Sequence, residues 1–396
     1  MSKPFPPLPK EESMLRIQKL QQILSSHQVD AMLLCSNVNL FYLTGRIFDG
    51  YLYLPQQGGC LAFSRRPREL SLPGMETIPI GKPEQIPDLL EQHGLPSPGR
   101  LVLEEDDISA SEYLRLTRLF PQAELVHRLS AARTARMIKT PYEIEQIHIS
   151  ARHQKELYES IPSLYEPGMT DLELTARIEF RARQDGHLGI FRTFGFRMEG
   201  FMGSVLAGDN AACPSPYDFA LGGQGLHPSL PMSHNGDPLR ESTTVMVDIT
   251  GNHTGYQSDC SRTFSIGKAA PEAMRAHQLS IDIQHACVEA SRKGVTCREL
   301  YELGLGMAQR AGLADCFMGR SQQAKFFGHG LGIEINELPV IAPRCDTPLE
   351  PGMVLALEPK FVLDSIGPVG TENTYVMTSD GLERITLCDE AMLCLE

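Results

Sequence analysis

Residues Thr243–Phe264 read TTVMVDITGNHTGYQSDCSRTF. Two runs with strand character, TTVMVDIT and YQSDCSRTF, flank a turn-rich centre, Gly251-Asn252-His253-Thr254-Gly255. Val, Ile, Thr and Tyr favour the pleated strand, whereas Gly and Asn favour the turn. A turn centred on His253-Thr254 sets Asp248 directly opposite Asp259. Facing residues of an antiparallel pair lie within about 5.5 Å, and like charges there are destabilising. Two carboxylates held together in an apolar hairpin call for a shared proton or a cation between them. A bound metal is the simpler answer.

The pattern recurs near the C-terminus. VLALE (354–358) and TENTYV (371–376) flank Asp364-Ser365-Ile366-Gly367, and Glu358 and Glu372 are equidistant from Ser365. Between the two hairpins lies FFGHGLG (326–332), a glycine-rich stretch presenting His329. Four carboxylates and one imidazole form a mixed oxygen and nitrogen ligand set, suited to divalent Mn, Co, Zn or Fe. Carboxylates bridging two ions about 3.5–4 Å apart are a known hydrolytic arrangement.

In order and spacing, DITG…GYQSDCSRTF, GHGLGIEINELP, LEPK and GTENTYVM resemble the metal signatures of the pita-bread metallopeptidases. That family includes aminopeptidase P, prolidase, methionine aminopeptidase and the metal-free creatinase. The resemblance covers roughly Tyr142 to the C-terminus, and a weaker one to the creatinase/prolidase N-terminal domain covers much of the rest. It implies an α/β (α+β) chain, with a creatinase-like N-terminal α/β domain over residues 1–140 and a pita-bread catalytic domain over 141–396. It also implies that Asp248, Asp259, His329, Glu358 and Glu372 hold two divalent ions. Asp248 would chelate one, Asp259 and Glu372 would bridge the two, and His329 and Glu358 would complete the other site. Glu358, beside the attacking water, would be the general base.

Composition agrees with this class. A chain of 396 residues suits two domains, and 42% hydrophobic with 21% charged residues fits a globular protein. A net charge of −13 argues against a nucleic-acid partner, since nothing would supply counterion release. The opening MSKPFPPLPKEES has no apolar core run, and no apolar stretch approaches the roughly 20 residues that span a bilayer. Ten cysteines without CxxC pairing then read as reduced thiols in a cytoplasmic protein, and Cys260 as a packing residue.

Along the chain, residues 1–12 read as a Pro-rich arm and Met14–His27 as an amphipathic helix. A short buried strand spans 30–35, and residues 37–63 read as alternating strand and turn. A strand at 101–104 and a helix at 109–120 follow. Pro141 opens a long helix to about Ser160, and further helices span Asp171–Gln184, Pro271–Arg292 and Cys297–Ala311. His148 and His153 are five apart and read as packing or surface residues. Residues 195–208 read as strands leading into a loop, and 211–238, rich in Gly, Pro, Ser and Asn, as a long loop of a kind that is usually functional or mobile.

The resemblance has departures. Its peptidases carry a second histidine seven residues after the metal histidine, where this chain has Asn336. Prolidases tend to carry an arginine just beyond; here Val340 follows Pro339, and Arg344 is the nearest candidate. His234 is the nearest match to a further family histidine that lines the substrate site. The resemblance thus implies a dinuclear metallo-aminopeptidase that hydrolyses the N-terminal Xaa-Pro amide bond, aminopeptidase P-like or prolidase-like, with Asn336 and His234 handling substrate. A metal-dependent hydrolase of a small non-peptide amide, or a metal-bearing family member used as a binding protein, are the alternatives. Two-domain members further imply a homodimer.

Overall fold

Four apolar residues after Asp30 build the first strand of the chain, β1 (Ala31–Leu34), every one of them buried. In the computed structural model, which describes residues 7–195, 198, 200 and 202–396, the chain divides into units 1–136 and 137–396. The first unit holds α1 (Lys10–Ser26), β1, α2 (Asn37–Thr44), β2 (Asp49–Pro55), β3 (Leu61–Arg66), β4 (Glu76–Pro79), α3 (Ile86–Gln92), β5 (Arg100–Leu103), α4 (Ala110–Thr117) and β6 (Glu124–Leu125). Its sheet runs β4-β3-β2-β1-β5-β6, with β1 antiparallel to β2 and parallel to β5. A further helix, α5 (Ala131–Met137), crosses the boundary between the units.

Two local expectations are corrected here. Residues 37–44, expected as strand and turn, form α2: the Ser36 hydroxyl accepts from the Asn39 N–H at the start, and Gly45 closes the end at φ +69°. Helix α1 begins at Lys10, four residues earlier than expected, with Pro9 at its N-cap and Glu11 and Glu12 favourably placed in its first turn. Of the expected N-terminal arm, residues 1–6 lie outside the described residues, as do 196, 197, 199 and 201 of the stretch expected as strands.

The second unit opens with α6 (Pro141–Ser160) and α7 (Asp171–Gln184), each started by a Thr–Glu capping box. It continues with β7 (Gly203–Ala207), β8 (Thr244–Ile249), β9 (Gly251–Asn252), β10 (Gln257–Ser258), β11 (Ser261–Ile266), α8 (Pro271–Ser291) and α9 (Cys297–Arg310). The last strands are β12 (Gly328–Gly330), β13 (Glu337–Val340), β14 (Val354–Leu357), β15 (Lys360–Leu363), β16 (Gly367–Thr378), β17 (Gly381–Arg384) and β18 (Leu393–Leu395). The main sheet runs β13-β12-β14-β16-β11-β8-β7.

Two apolar clusters cover one face of that sheet. Leu157, Leu174 and Ile178 of α6 and α7 pack on Val245, Val247 and Ile249. Ile283, Cys287 and Leu300 of α8 and α9 pack on Leu355, Leu357 and Tyr375. Side chains alternate along a strand, so Asp248 and Glu372, which lie between these apolar positions, project from the opposite face. Cys260 is buried in the first cluster.

Candidate metal centre

Strand pairing brings the acidic residues together in a row. Asp248 pairs with Ser261, and Ser261 pairs on its other side with Glu372. The first hairpin differs in register from the sequence expectation: Asn252 pairs with Gln257 and Gly251 with Ser258, which moves the turn to Thr254-Gly255. Gly255 takes φ +86°, a conformation that favours glycine. Asp259 therefore stands two residues from Asp248's partner rather than opposite Asp248. An even shift preserves the face, so the two carboxylates still meet, diagonally. In the second hairpin, the pairs Leu357–Asn373 and Lys360–Gly370 bracket Glu358 and Glu372, which face each other as expected. His329 lies on β12, which pairs with β14.

Two groups of donors result. Asp259, His329 and Glu372 form one, and Asp248, Glu358 and Glu372 the other; within each, the donor atoms lie within 4.8 Å of one another. His329 Nε2 is 3.4 Å from Glu358 Oε1 and 3.8 Å from Asp259 Oδ2. The first group offers nitrogen and oxygen donors and fits a borderline divalent ion. The second group holds a surprise of composition. Lys360 Nζ donates to Asp248 Oδ2 at 2.8 Å, Glu358 Oε2 at 2.6 Å and Glu372 Oε2 at 3.0 Å. Its side chain is 1% exposed, whereas that of Asp248 is 26% exposed.

The electrostatics follow from this placement. Burial, followed by the charge of Asp248, pushes Asp259 up to about 7. Burial and the charge of Asp259 hold Glu372 well above the carboxylate range. Glu358 behaves in the opposite way. Burial would raise it, but the Lys360 ammonium and His329 draw it down to about 2. His329 is lowered by burial, yet Glu358 and Asp259 lift it to about 9. Lys360 stays charged because three carboxylates outweigh its burial.

The shell behind the acids was not apparent in the sequence. The Thr374 hydroxyl accepts from the Asp259 N–H at 2.8 Å and donates to the Asp259 carbonyl at 2.8 Å, clamping that residue's backbone. On α6, Ser150 donates to the Tyr256 carbonyl, Gln154 to that of Ile249, and the Tyr158 hydroxyl to Cys260 O. On α8, Ser280 donates to the Pro359 carbonyl and Gln284 to Thr371 O. Each helix thus turns a Ser-x-x-x-Gln face toward one acidic hairpin. The i, i+4 spacing that aligns those side chains is a signal the sequence does contain.

The two substrate-handling candidates lie differently. His234 is buried, with Nδ1 3.2 Å from Ser233 Oγ. Ser233 Oγ accepts from the N–H of Val205, on the strand beside Asp248. Burial lowers the His234 pKa despite the charge of Asp171. Asn336 Nδ2 donates to the Phe194 carbonyl at 2.9 Å, and its Oδ1 accepts from the Phe194 N–H at 2.7 Å. Its amide pins residues near 194. A cavity of about 360 Å³ is lined by Tyr217, Phe219 and Phe326, among others. The ring of Phe326, one of the residues lining the cavity, stands edge-on to that of His329 with centroids 6.3 Å apart.

Comparison with known proteins agrees with this geometry. Residues 145–379 match the model of metallopeptidase family M24, and residues 16–138 match that of the creatinase/prolidase N-terminal domain. The chain belongs to metallopeptidase family M24, and it is a hydrolase with the two-domain creatinase and pita-bread architecture. A Xaa-Pro dipeptidase of Lactobacillus helveticus is 24% identical over 392 residues, covering 95% of this chain and 98% of that one. Two solved structures share the fold. The Xaa-Pro dipeptidase from Bacillus anthracis superposes with TM-score 0.81 at 22% identity, over 97% of this chain and 100% of that one. The X-Pro aminopeptidase from Thermotoga maritima gives 0.77 at 19% identity, over 94% and 99%.

Proposed function

We propose that this chain hydrolyses the N-terminal Xaa-Pro amide bond of peptides. The observation that carries the reading is the convergence of Asp248, Asp259, His329, Glu358 and Glu372 from neighbouring strands on two donor groups. The names of the similar proteins, Xaa-Pro dipeptidase and X-Pro aminopeptidase, support the substrate class.

Asp259, His329 and Glu372 would hold a divalent ion of the Mn, Co, Zn or Fe kind, and a second ion has its place at Asp248, Glu358 and Glu372 unless Lys360 retains those oxygens. Bound metal supplies Lewis acidity toward the scissile carbonyl and lowers the pKa of a water. Glu358, kept as a carboxylate, takes a proton from the attacking water and returns it to the leaving amine, so that water and amide become acid and amine. His234, neutral through burial, is the candidate donor to the substrate. Asn336 acts through the backbone it pins. The Tyr217, Phe219 and Phe326 side chains of the cavity suit a compact, apolar proline ring.

The test is hydrolysis by stripped enzyme reloaded with Mn, Co or Zn, on Xaa-Pro dipeptides, longer Xaa-Pro peptides and non-proline controls. Metal-dependent cleavage confined to Xaa-Pro bonds is expected. Cleavage only of dipeptides defines a prolidase type, and only of longer peptides an aminopeptidase P type. Turnover of non-proline amides alone overturns the proline reading.

A further inference from the structure

Lys360 begins β15, where its backbone is held on several sides. It pairs with Gly370, and its carbonyl accepts from the Met318 N–H at 2.7 Å. A Cβ at Gly370 would lie 3.1 Å from Lys360 Cα and 2.7 Å from the Pro359 carbonyl, so glycine lets the two strands approach closely here. Phe361, the next residue, is fully buried in the core cluster of α8 and α9, which turns Lys360 toward the acids. An ammonium has three N–H donors, and Lys360 directs them at three carboxylate oxygens, one each from Asp248, Glu358 and Glu372. These residues are the ones that form the second metal-binding group.

A divalent ion bound there at about 2.0–2.2 Å from the oxygens would share that small space with a like charge. Alternatively, the ammonium would have to leave its three partners, and its side chain is only 1% accessible. A buried ammonium without partners is strongly unfavourable. The other group, Asp259, His329 and Glu372, is clear of the ammonium except at Glu372, whose Oε2 it takes and whose Oε1 it leaves available.

We infer that Lys360 is a built-in cation at Asp248, Glu358 and Glu372, and that this chain binds one divalent ion, at Asp259, His329 and Glu372. The inference rests on the metal-dependent reading above and narrows it: the tethered ammonium takes the electrostatic place of the second ion at those three oxygens.

The experiment counts ions on the full chain without substrate. Stripped protein is reloaded with Mn(II), desalted, and measured by elemental analysis and by electron paramagnetic resonance. One ion per chain with an uncoupled six-line signal is expected. The Lys360→Met variant, close in volume but uncharged, should take two ions and show exchange coupling, while Lys360→Arg should stay at one. In the native background, Asp259→Asn should weaken Mn(II) binding at least 100-fold by calorimetry, and Asp248→Asn by less than 5-fold. Two ions in the native chain, none at all, a Lys360→Met variant that stays at one, or equal losses in the two Asp variants overturns the inference. Because the count needs no turnover, a one-ion chain inert toward Xaa-Pro peptides upholds the inference and sinks the peptidase reading. A two-ion chain that cleaves them does the reverse.

Discussion

Glu358 carries a cationic neighbour on each oxygen, Lys360 Nζ at 2.6 Å and His329 Nε2 at 3.4 Å. That keeps it ionised in a buried site, the form the proposed general base must have, although cations this close also lower its basicity. Replacing it with Gln removes the proton acceptor but keeps the shape. Turnover of the metal-loaded variant should fall by about 10²–10⁴-fold, with an unchanged circular dichroism spectrum. Turnover at the native rate would reject its role as base. The four acids were legible because they fall in two pairs set about turns and inside signatures that keep a fixed order. Lys360 was not, since its place in LEPK does not say which way its side chain points. Only the pairing of β15 with β16 turns it inward.

At the scale of elements, the centre depends on polar residues that helices and strands direct at one another's backbones. Thr374 is the clearest case, with both hydrogen bonds of its hydroxyl going to Asp259. Thr374→Val keeps the shape and leaves a buried N–H and carbonyl without that partner, at a cost of about 1–3 kcal/mol. A lower Tm and about 10–100-fold weaker metal binding are expected, since Asp259 loses the group that orients it. Unchanged Tm and affinity would show that strand pairing alone positions Asp259. Helix positions read from the sequence agree closely with α6, α7, α8 and α9, where Pro, Thr–Glu capping boxes and apolar spacing act locally. The Asp248–Asp259 register did not, because a turn one residue wide of its expected centre depends on how Gly255 and α6 hold it.

For the whole molecule, metal and proton compete for the same acids. Without metal, Asp259 retains a proton up to about pH 7, whereas in the unfolded chain it ionises near 4. A raised carboxylate pKa stabilises the fold at low pH, and that contribution is lost as pH rises through about 7. A divalent ion displaces the proton, and ion binding at 100 times Kd adds about 2.7 kcal/mol. The difference in Tm between loaded and chelator-stripped protein should therefore widen from pH 5.5 to 8, as scanning calorimetry can measure. A difference independent of pH would mean that no acid proton is exchanged for metal. The sequence by itself named the five candidate ligands, the long helices behind them and the family signatures that hold them in order, because hydrophobic period, caps and ordered motif spacing are local or linear properties. Tertiary structure alone decided which acids share a donor group, where Asn336 directs its amide, and that a lysine stands among the carboxylates. These follow from register and burial, which are set by strands more than a hundred residues apart in the chain.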